Sequence, residues 1–193
     1  MNSIQKNEIL KILSEKALKI AKEGEYFSLA SGKKSKYYLD GKIVTMNPVL
    51  LKKTANLIID KILNQGWDPN AIGGLTLGAD PLAYAISLEA KSRNIDWLPF
   101  VVRKEKKERG TGKQIEGLLK EKTNLIVLED VTTTGSSAMV ATEAVRNAGH
   151  NVIGIVTMVD REEGSVDLFS KEKIPFRRLF TLSDLIAAMP QPH

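Results

Sequence analysis

Residues 124–149 read NLIVLEDVTTTGSSAMVATEAVRNAG, and this stretch sets the fold class. Its four apolar residues, Leu125 to Leu128, predict a strand buried on both faces. Two adjacent carboxylates follow, Glu129 and Asp130, and then a tight hydroxyl-rich turn that includes Thr132, Thr133, Thr134, Gly135, Ser136 and Ser137. A helix with Met139, Val140, Ala144 and Val145 on one side is expected next, ending at Gly149 as its C′ glycine. The acids and hydroxyls therefore sit at the carboxyl end of a strand and face a helix N-terminus. In open α/β sheets that is where ligands bind.

Backbone N–H groups in a turn that enters a helix form an anion site, and threonine and serine hydroxyls add donors, so a phosphate fits the turn. Two carboxylates beside a phosphate repel it unless other partners occupy them. Vicinal sugar hydroxyls, which donate to carboxylates, do so, as does a bridging Mg²⁺. Phosphate plus vicinal diol points to a ribose phosphate. The chain has neither Gly-x-x-x-x-Gly-Lys-Ser/Thr nor Gly-x-Gly-x-x-Gly after a strand. The plainer alternative is an ordinary strand–turn–helix, with Ser136 or Ser137 capping the helix and the acids solvated.

The strand, the acid pair and the Thr-Thr-Gly-Ser loop resemble the phosphoribosyl-diphosphate-binding motif of the type I phosphoribosyltransferases. The resemblance implies that Glu129 and Asp130 hold the ribose diol. It also implies that Val131, Thr132, Thr133, Thr134, Gly135, Ser136 and Ser137 wrap the 5′-phosphate.

With 193 residues, 42% apolar and 26% charged, residues 1–193 are expected to form one soluble domain. The chain has no cysteine, which excludes disulfides, thiolate metal sites and cysteine nucleophiles and suits a reducing cytoplasm. Charges interrupt the N-terminal segment throughout, so neither a signal peptide nor a membrane span is expected there. His150 follows the helix-ending Gly149 and His193 is the last residue, so neither is placed as a catalytic base. The net charge of +5 suits anionic small molecules or nucleic acid equally, and no nucleic-acid module accompanies it.

Residues 4–22 carry Ile4, Ile9, Leu13, Ala17 and Ile20 among lysines and glutamates, predicting an amphipathic helix ended at Gly24. Residues 26–40, with a Ser31-Gly32-Lys33 turn between two β-prone pieces, predict a hairpin or flap. Residues 48–65 predict a helix opened by Pro48 and ended at Gly66. Ala71–Leu75 predicts a strand, and a turn through Gly78 leads into a helix opened by Pro81. Further strands are expected at Trp97–Val102, Asn151–Val159 and Pro175–Thr181, with a final short helix capped by Ser183. Strands alternating with helices imply a mostly parallel central sheet flanked by helices, with the N-terminal helix and flap as a small cap.

Residues 103–116, RKEKKERGTGKQIE, have no apolar residue until Ile115. On composition alone this is a solvated charge run. Its position after a strand hangs it over the sheet edge that carries Glu129 and Asp130.

Three of these segments narrow the resemblance to the orotate phosphoribosyltransferases. Phe27-x-Leu29-x-Ser31-Gly32-Lys33-x-Ser35-x-Tyr37-Tyr38-x-Asp40 is similar to that family's N-terminal segment, which helps cover the base and diphosphate. Some members place a lysine where this chain has Ala30. Gly73-Gly-Leu-Thr-Leu-Gly-Ala-Asp-Pro81 resembles a diphosphate-binding loop, with Leu77 to Ala79 facing the leaving group. The basic loop resembles Arg-Lys-x-x-Lys-x-His-Gly, matched by Arg103, Lys104, Lys107 and Gly110, with Arg109 at the histidine position. Arginine binds diphosphate oxygens bidentately but does not donate a proton near neutral pH.

The resemblance implies transfer of phosphoribosyl from phosphoribosyl diphosphate to orotate in pyrimidine biosynthesis. Lys107, Arg103 and Asp130 would be catalytic, and Lys104 and Arg109 would help bind the donor. Thr133 and Arg161, the latter in Asp160-Arg-Glu-Glu-Gly164, would bind orotate. An ion pair of Arg161 with Glu162 or Asp160 is the structural alternative. Mg²⁺ would be held mainly through substrate rather than by direct protein ligands, with Asp130 the candidate to join. The partners would be the two small molecules and a second copy of the chain, with the 103–116 loop reaching the neighbouring site; neither nucleic acid nor membrane is expected. A transferase for another base and a non-catalytic sensor of the donor are the competing readings.

Overall fold

The computed structural model describes residues 2–28, 34–105 and 113–190. The Ser31-Gly32-Lys33 turn, Ala30, Lys107, Arg109, Gly110 and His193 lie outside them.

Among the described residues, one six-stranded sheet carries the fold. Its strands are β5 (Ala71–Leu75), β6 (Leu98–Val102), β7 (Ile115–Gly117), β8 (Asn124–Thr132), β9 (Asn151–Asp160) and β10 (Phe176–Thr181), in spatial order β10-β9-β8-β5-β6-β7. Every neighbouring pair is parallel except β6 with β7. The expected mostly parallel α/β sheet is thus present.

β8 is buried on both faces because its side chains alternate between two cores. Leu125 and Val127 pack with Ala138, Ala141 and Val145 of α5 (Ser136–Asn147) and with Phe169 of α6 (Ser165–Lys171). Ile126 and Leu128 pack on the other face with Ile58 of α3 (Pro48–Leu63) and Leu82 of α4 (Asp80–Ser92). Each such side chain stabilises the fold by roughly 1.5–3 kcal/mol. α3 begins as expected, with Pro48 in its first turn and the Asn47 side chain accepting from the N–H groups of Val49 and Leu50, both at 3.1 Å.

Several expectations need correction. The helix expected over residues 4–22 stops at Ile12 as α1 (Asn2–Ile12), passes through a π-helical turn at Leu13–Ala17, and becomes β1 (Leu18–Ile20). β1 pairs antiparallel with β4 (Tyr37–Leu39), so a partner twenty residues away overrides the local helical period. The hairpin of β2 (Phe27–Ser28) and β3 (Lys34–Ser35) forms as expected. On α5 the buried face is Ala138, Ala141, Thr142 and Val145, while Val140 is 41% exposed. Of the expected face, Val145 is buried and Met139 and Ala144 pack partly buried against the core, so only Val140 turns outward. Ile115 and Glu116, expected at the end of the 103–116 polar loop, return with Gly117 along β6 as β7. The last helix, α7 (Leu182–Ala187), is capped by Thr181 in a reciprocal pair with Asp184, because the Ser183 hydroxyl donates to Glu162 at 2.6 Å instead. No helix among the described residues is long and apolar enough to cross a membrane.

Candidate active site

The chain runs outward from β5 to β6 and β7 on one side, and from β8 to β9 and β10 on the other. The switch point lies between β5 and β8, so the crevice beyond their carboxyl ends is where a ligand is expected. A cleft of about 500 Å³ opens there. It brings together Lys104, Glu129, Asp130, Val131 and Ser137, all read from the sequence, with the Leu77–Ala79 turn.

β8 continues through Thr132, so Glu129 and Asp130 are successive strand residues rather than the start of a loop. Their side chains consequently leave opposite faces of the sheet edge. Glu129 accepts a hydrogen bond from the Thr132 hydroxyl at 2.7 Å. Burial pushes its carboxyl up to about 7, against the Thr132 bond; the charge of Asp130 adds to the rise and the Ser137 hydroxyl counters it. Burial also raises Asp130 above the usual range, opposed by the N–H groups of Val131 and Asp130 itself and by Lys42, while Asp40 adds to the rise.

The Asp130 carboxylate is held between two glycines. A Cβ on Gly78 would lie 2.5 Å from Oδ1, and one on Gly41 would lie 3.2 Å from Oδ2. Gly41 precedes α2 (Lys42–Thr45), and Lys42 and Thr45 also line the cleft. Lys42 is not marked by the sequence, because the Tyr37-Tyr38-x-Asp40 pattern ends two residues before it.

Two helix N-termini meet the cleft. α5 opens from Gly135 at φ 86°, with no side chain capping it, so its first-turn N–H groups face outward as donors. Neither Ser136 nor Ser137 is the cap; the Ser136 hydroxyl is 3.2 Å from that of Thr134. A Cβ at Gly135 would strike the Phe169 ring at 2.6 Å, so the turn is packed as well as left-handed. α4 opens from the 76–79 turn, whose Thr76–Leu77 peptide is cis and whose Thr76 hydroxyl donates to Asp80 at 2.7 Å. Thr132 is buried, and Thr133 and Thr134 are half-buried.

Of the described residues read from the sequence, Arg103, Arg161 and the run from Thr132 to Ser136 are not among those that line the cleft. Arg103 pairs with Glu116 at 3.6 Å. Arg161 follows β9 and is only 5% exposed. Its Nη2 donates to Ser35 Oγ at 3.0 Å and to the Tyr37 carbonyl at 3.1 Å, and pairs with Glu163 at 2.7 Å. The structural partner expected for it, Glu162 or Asp160, is thus corrected to Glu163. Asp160 is engaged by Arg178 and by the Ser165 hydroxyl at 2.9 Å. His150 lines a separate cavity of about 400 Å³ that shares no residue with the cleft.

No family model matches the chain. An orotate phosphoribosyltransferase of Aquifex aeolicus is 43% identical over 189 residues, which is 96% of this chain and 100% of the relative. That of Pyrococcus furiosus is 40% identical over 184 residues, 95% of this chain and 96% of its own. The solved structure of Mycobacterium tuberculosis orotate phosphoribosyltransferase with Fe(III) dicitrate has a TM-score of 0.78 at 34% identity, over 94% of this chain and 98% of that one. The same enzyme in complex with 5-phospho-α-D-ribosyl 1-diphosphate has a TM-score of 0.75 at 30% identity over the same shares, 94% and 98%. At 15% identity and a TM-score of 0.62, over 93% of this chain and 90% of that one, an adenine phosphoribosyltransferase of Leishmania tarentolae shares the fold alone. With near-complete coverage at this identity, and with the type I fold carrying an acid pair at its switch point, the chain belongs to the orotate phosphoribosyltransferase family.

Proposed function

We propose that the protein transfers the phosphoribosyl group of 5-phosphoribosyl 1-diphosphate to orotate, giving orotidine 5′-monophosphate and diphosphate. The observation that carries this reading is the meeting of the α4 and α5 N-termini with Glu129 and Asp130 in one cleft. Two positive helix ends flanking an acid pair suit a molecule with phosphate at both ends and a diol between. The first turn of α5 would take the 5′-phosphate, and the 76–79 turn the diphosphate. Glu129 and Asp130 would accept from the ribose hydroxyls.

As the bond from the anomeric carbon to diphosphate lengthens, positive charge gathers on the ribose and negative charge on the leaving group, while N1 of orotate forms the new bond. Lys104 and Lys42, with Arg103, Lys107 and Arg109 from the 103–116 segment, offset the charge on the diphosphate. The acid pair fixes the ribose, which is catalysis by positioning. Among the described residues no three acidic or histidine side chains are grouped to hold a metal. Mg²⁺ would be held chiefly through the substrate, with Asp130 the protein carboxylate placed to join it, and would supply charge neutralisation to the leaving group. Thr133 and Arg161 would receive orotate, the arginine taking its carboxylate.

The working unit in this reading is a homodimer in which Lys104 lines its own subunit's cleft and the rest of the 103–116 segment reaches the neighbouring site. In support, Tyr84 (52% exposed) lines a shallow cavity with Leu98 and Leu118 (84%), and Leu88 (72%) lies one helical turn from Tyr84 on α4, so exposed apolar side chains gather on this face. A cytoplasmic setting accords with the absence of cysteine. The test follows orotate absorbance after addition of phosphoribosyl diphosphate and Mg²⁺. Consumption of orotate is expected. Failure of both turnover and orotate binding would leave the donor-sensor reading in its place.

A further inference from the structure

We infer that Glu163 is an internal substitute for the substrate carboxylate: it occupies Arg161 before orotate arrives and thereby sets the affinity for orotate. The inference rests on the reading that Arg161 receives orotate.

Three acids surround Arg161 in the sequence, and the structure commits two of them elsewhere. Asp160 is held by Arg178, by the Ser165 hydroxyl at 2.9 Å and by the Glu162 N–H at 2.9 Å. Glu162 accepts from the Ser183 N–H at 3.0 Å and from the Ser183 hydroxyl at 2.6 Å. Glu162 has φ 60°, and this left-handed turn brings Glu163 back to the guanidinium, at 2.7 Å. The guanidinium side chain is 4% exposed and that of Glu163 is 23%, so the carboxylate lies on the solvent side and is the member free to leave.

The contact is crowded at one nitrogen and empty at another. Nη2 carries two hydrogens but faces three acceptors, Ser35 Oγ, the Tyr37 carbonyl and Glu163. Nε is buried with no partner. A buried guanidinium needs a counter-charge, which explains why Glu163 folds onto it. An incoming carboxylate offers the same charge in a planar form suited to pair with Nε and Nη2 together. The exchange is one carboxylate for another, with Glu163 released toward water. Orotate must therefore compete with Glu163, whereas a pyrimidine lacking the carboxylate does not.

The experiment titrates orotate and uracil into the full-length protein and its Glu163→Gln, Glu163→Asp and Arg161→Gln variants, reading dissociation constants by calorimetry. Glu163→Gln is expected to tighten orotate about five- to tenfold, the size of a partly buried ion pair, and to leave uracil unchanged. Glu163→Asp, which keeps the charge but retracts it, is expected to fall between. Orotate binding that is unchanged or weaker in Glu163→Gln, or a matching shift for uracil, overturns the role of Glu163. Arg161→Gln reports separately. If it leaves the preference for orotate over uracil intact, the assignment of Arg161 to orotate is what fails.

Discussion

The Asp130 carboxylate lies so close to the backbone of Gly78 that a Cβ there would sit 2.5 Å from Oδ1. A side chain at residue 78 would thus displace the carboxylate rather than the backbone of either element. Gly78→Ala should push the carboxylate off the ribose position while leaving both elements folded. A misplacement of about 1 Å costs on the order of a hundredfold in rate. Steady-state kinetics should show that loss in kcat/KM for the donor, and wild-type kinetics in this variant would remove Asp130 from the ribose site.

Glu129 gives a pH dependence of stability. Its folded pKa of about 7 stands above the ordinary glutamate value of 4.5, so the folded state binds more protons between these values. The contribution is fully present below the ordinary value and is lost as pH rises through about 7. Glu129→Gln cannot ionise, so at about pH 8 it should be more stable than wild type by on the order of 3 kcal/mol. The gain should shrink toward acid. Urea unfolding across pH checks this, and equal stability at about pH 8 contradicts it. Because the ribose diol donates to the ionised carboxylate, donor affinity should rise as pH passes upward through the same range.

Gly135 combines φ 86° with a Phe169 ring 2.6 Å from any Cβ. Gly135→Ala should destabilise the fold by about 2–4 kcal/mol, from the left-handed conformation and the overpacking together. It should also weaken binding of ribose 5-phosphate, since the first turn of α5 moves. Denaturation and phosphate-ligand titration measure the two effects. An alanine variant with full stability would mean that the turn readily adopts another conformation.

If the 103–116 segment beyond Lys104 reaches the neighbouring site, Lys107→Ala and Asp130→Asn damage different halves of a shared site. Each homodimer should be inactive, with Lys107→Ala losing about a hundredfold or more in turnover. Mixed and re-equilibrated, the two should recover about a quarter of wild-type activity, because half the dimers then hold one intact site. No recovery in dimers shown to have exchanged would place the segment over its own subunit's cleft.

Leu88 tests the interface itself. Leu88→Asp puts a charge on the exposed apolar face with Tyr84 and Leu118, and sedimentation should show a monomer of unchanged secondary structure. A variant that sediments like wild type would exclude this face.

The sequence by itself determined the sheet and the chemistry of its edge. Leu125 to Leu128, bounded by a polar turn, suit a short strand covered on both faces, and an acid pair followed by a hydroxyl-rich turn stays together in any fold, because the residues are consecutive. Local signals also placed Pro48, Gly66 and Gly149, since capping and left-handed turns depend on near neighbours. Tertiary structure alone decided what depends on distant partners. Leu18–Ile20 leaves the helix to pair with Tyr37–Leu39, and Ile115–Gly117 pairs with Phe100–Val102, because strand hydrogen bonds are made between segments whose register local periodicity does not encode. The cap of α7 moved to Thr181 because Glu162, on another turn, engages the Ser183 hydroxyl. Arg161 shows the division most clearly. Its charge was legible, but which of three neighbouring acids would neutralise it depended on how Arg178, Ser165 and Ser183 had already claimed the other two.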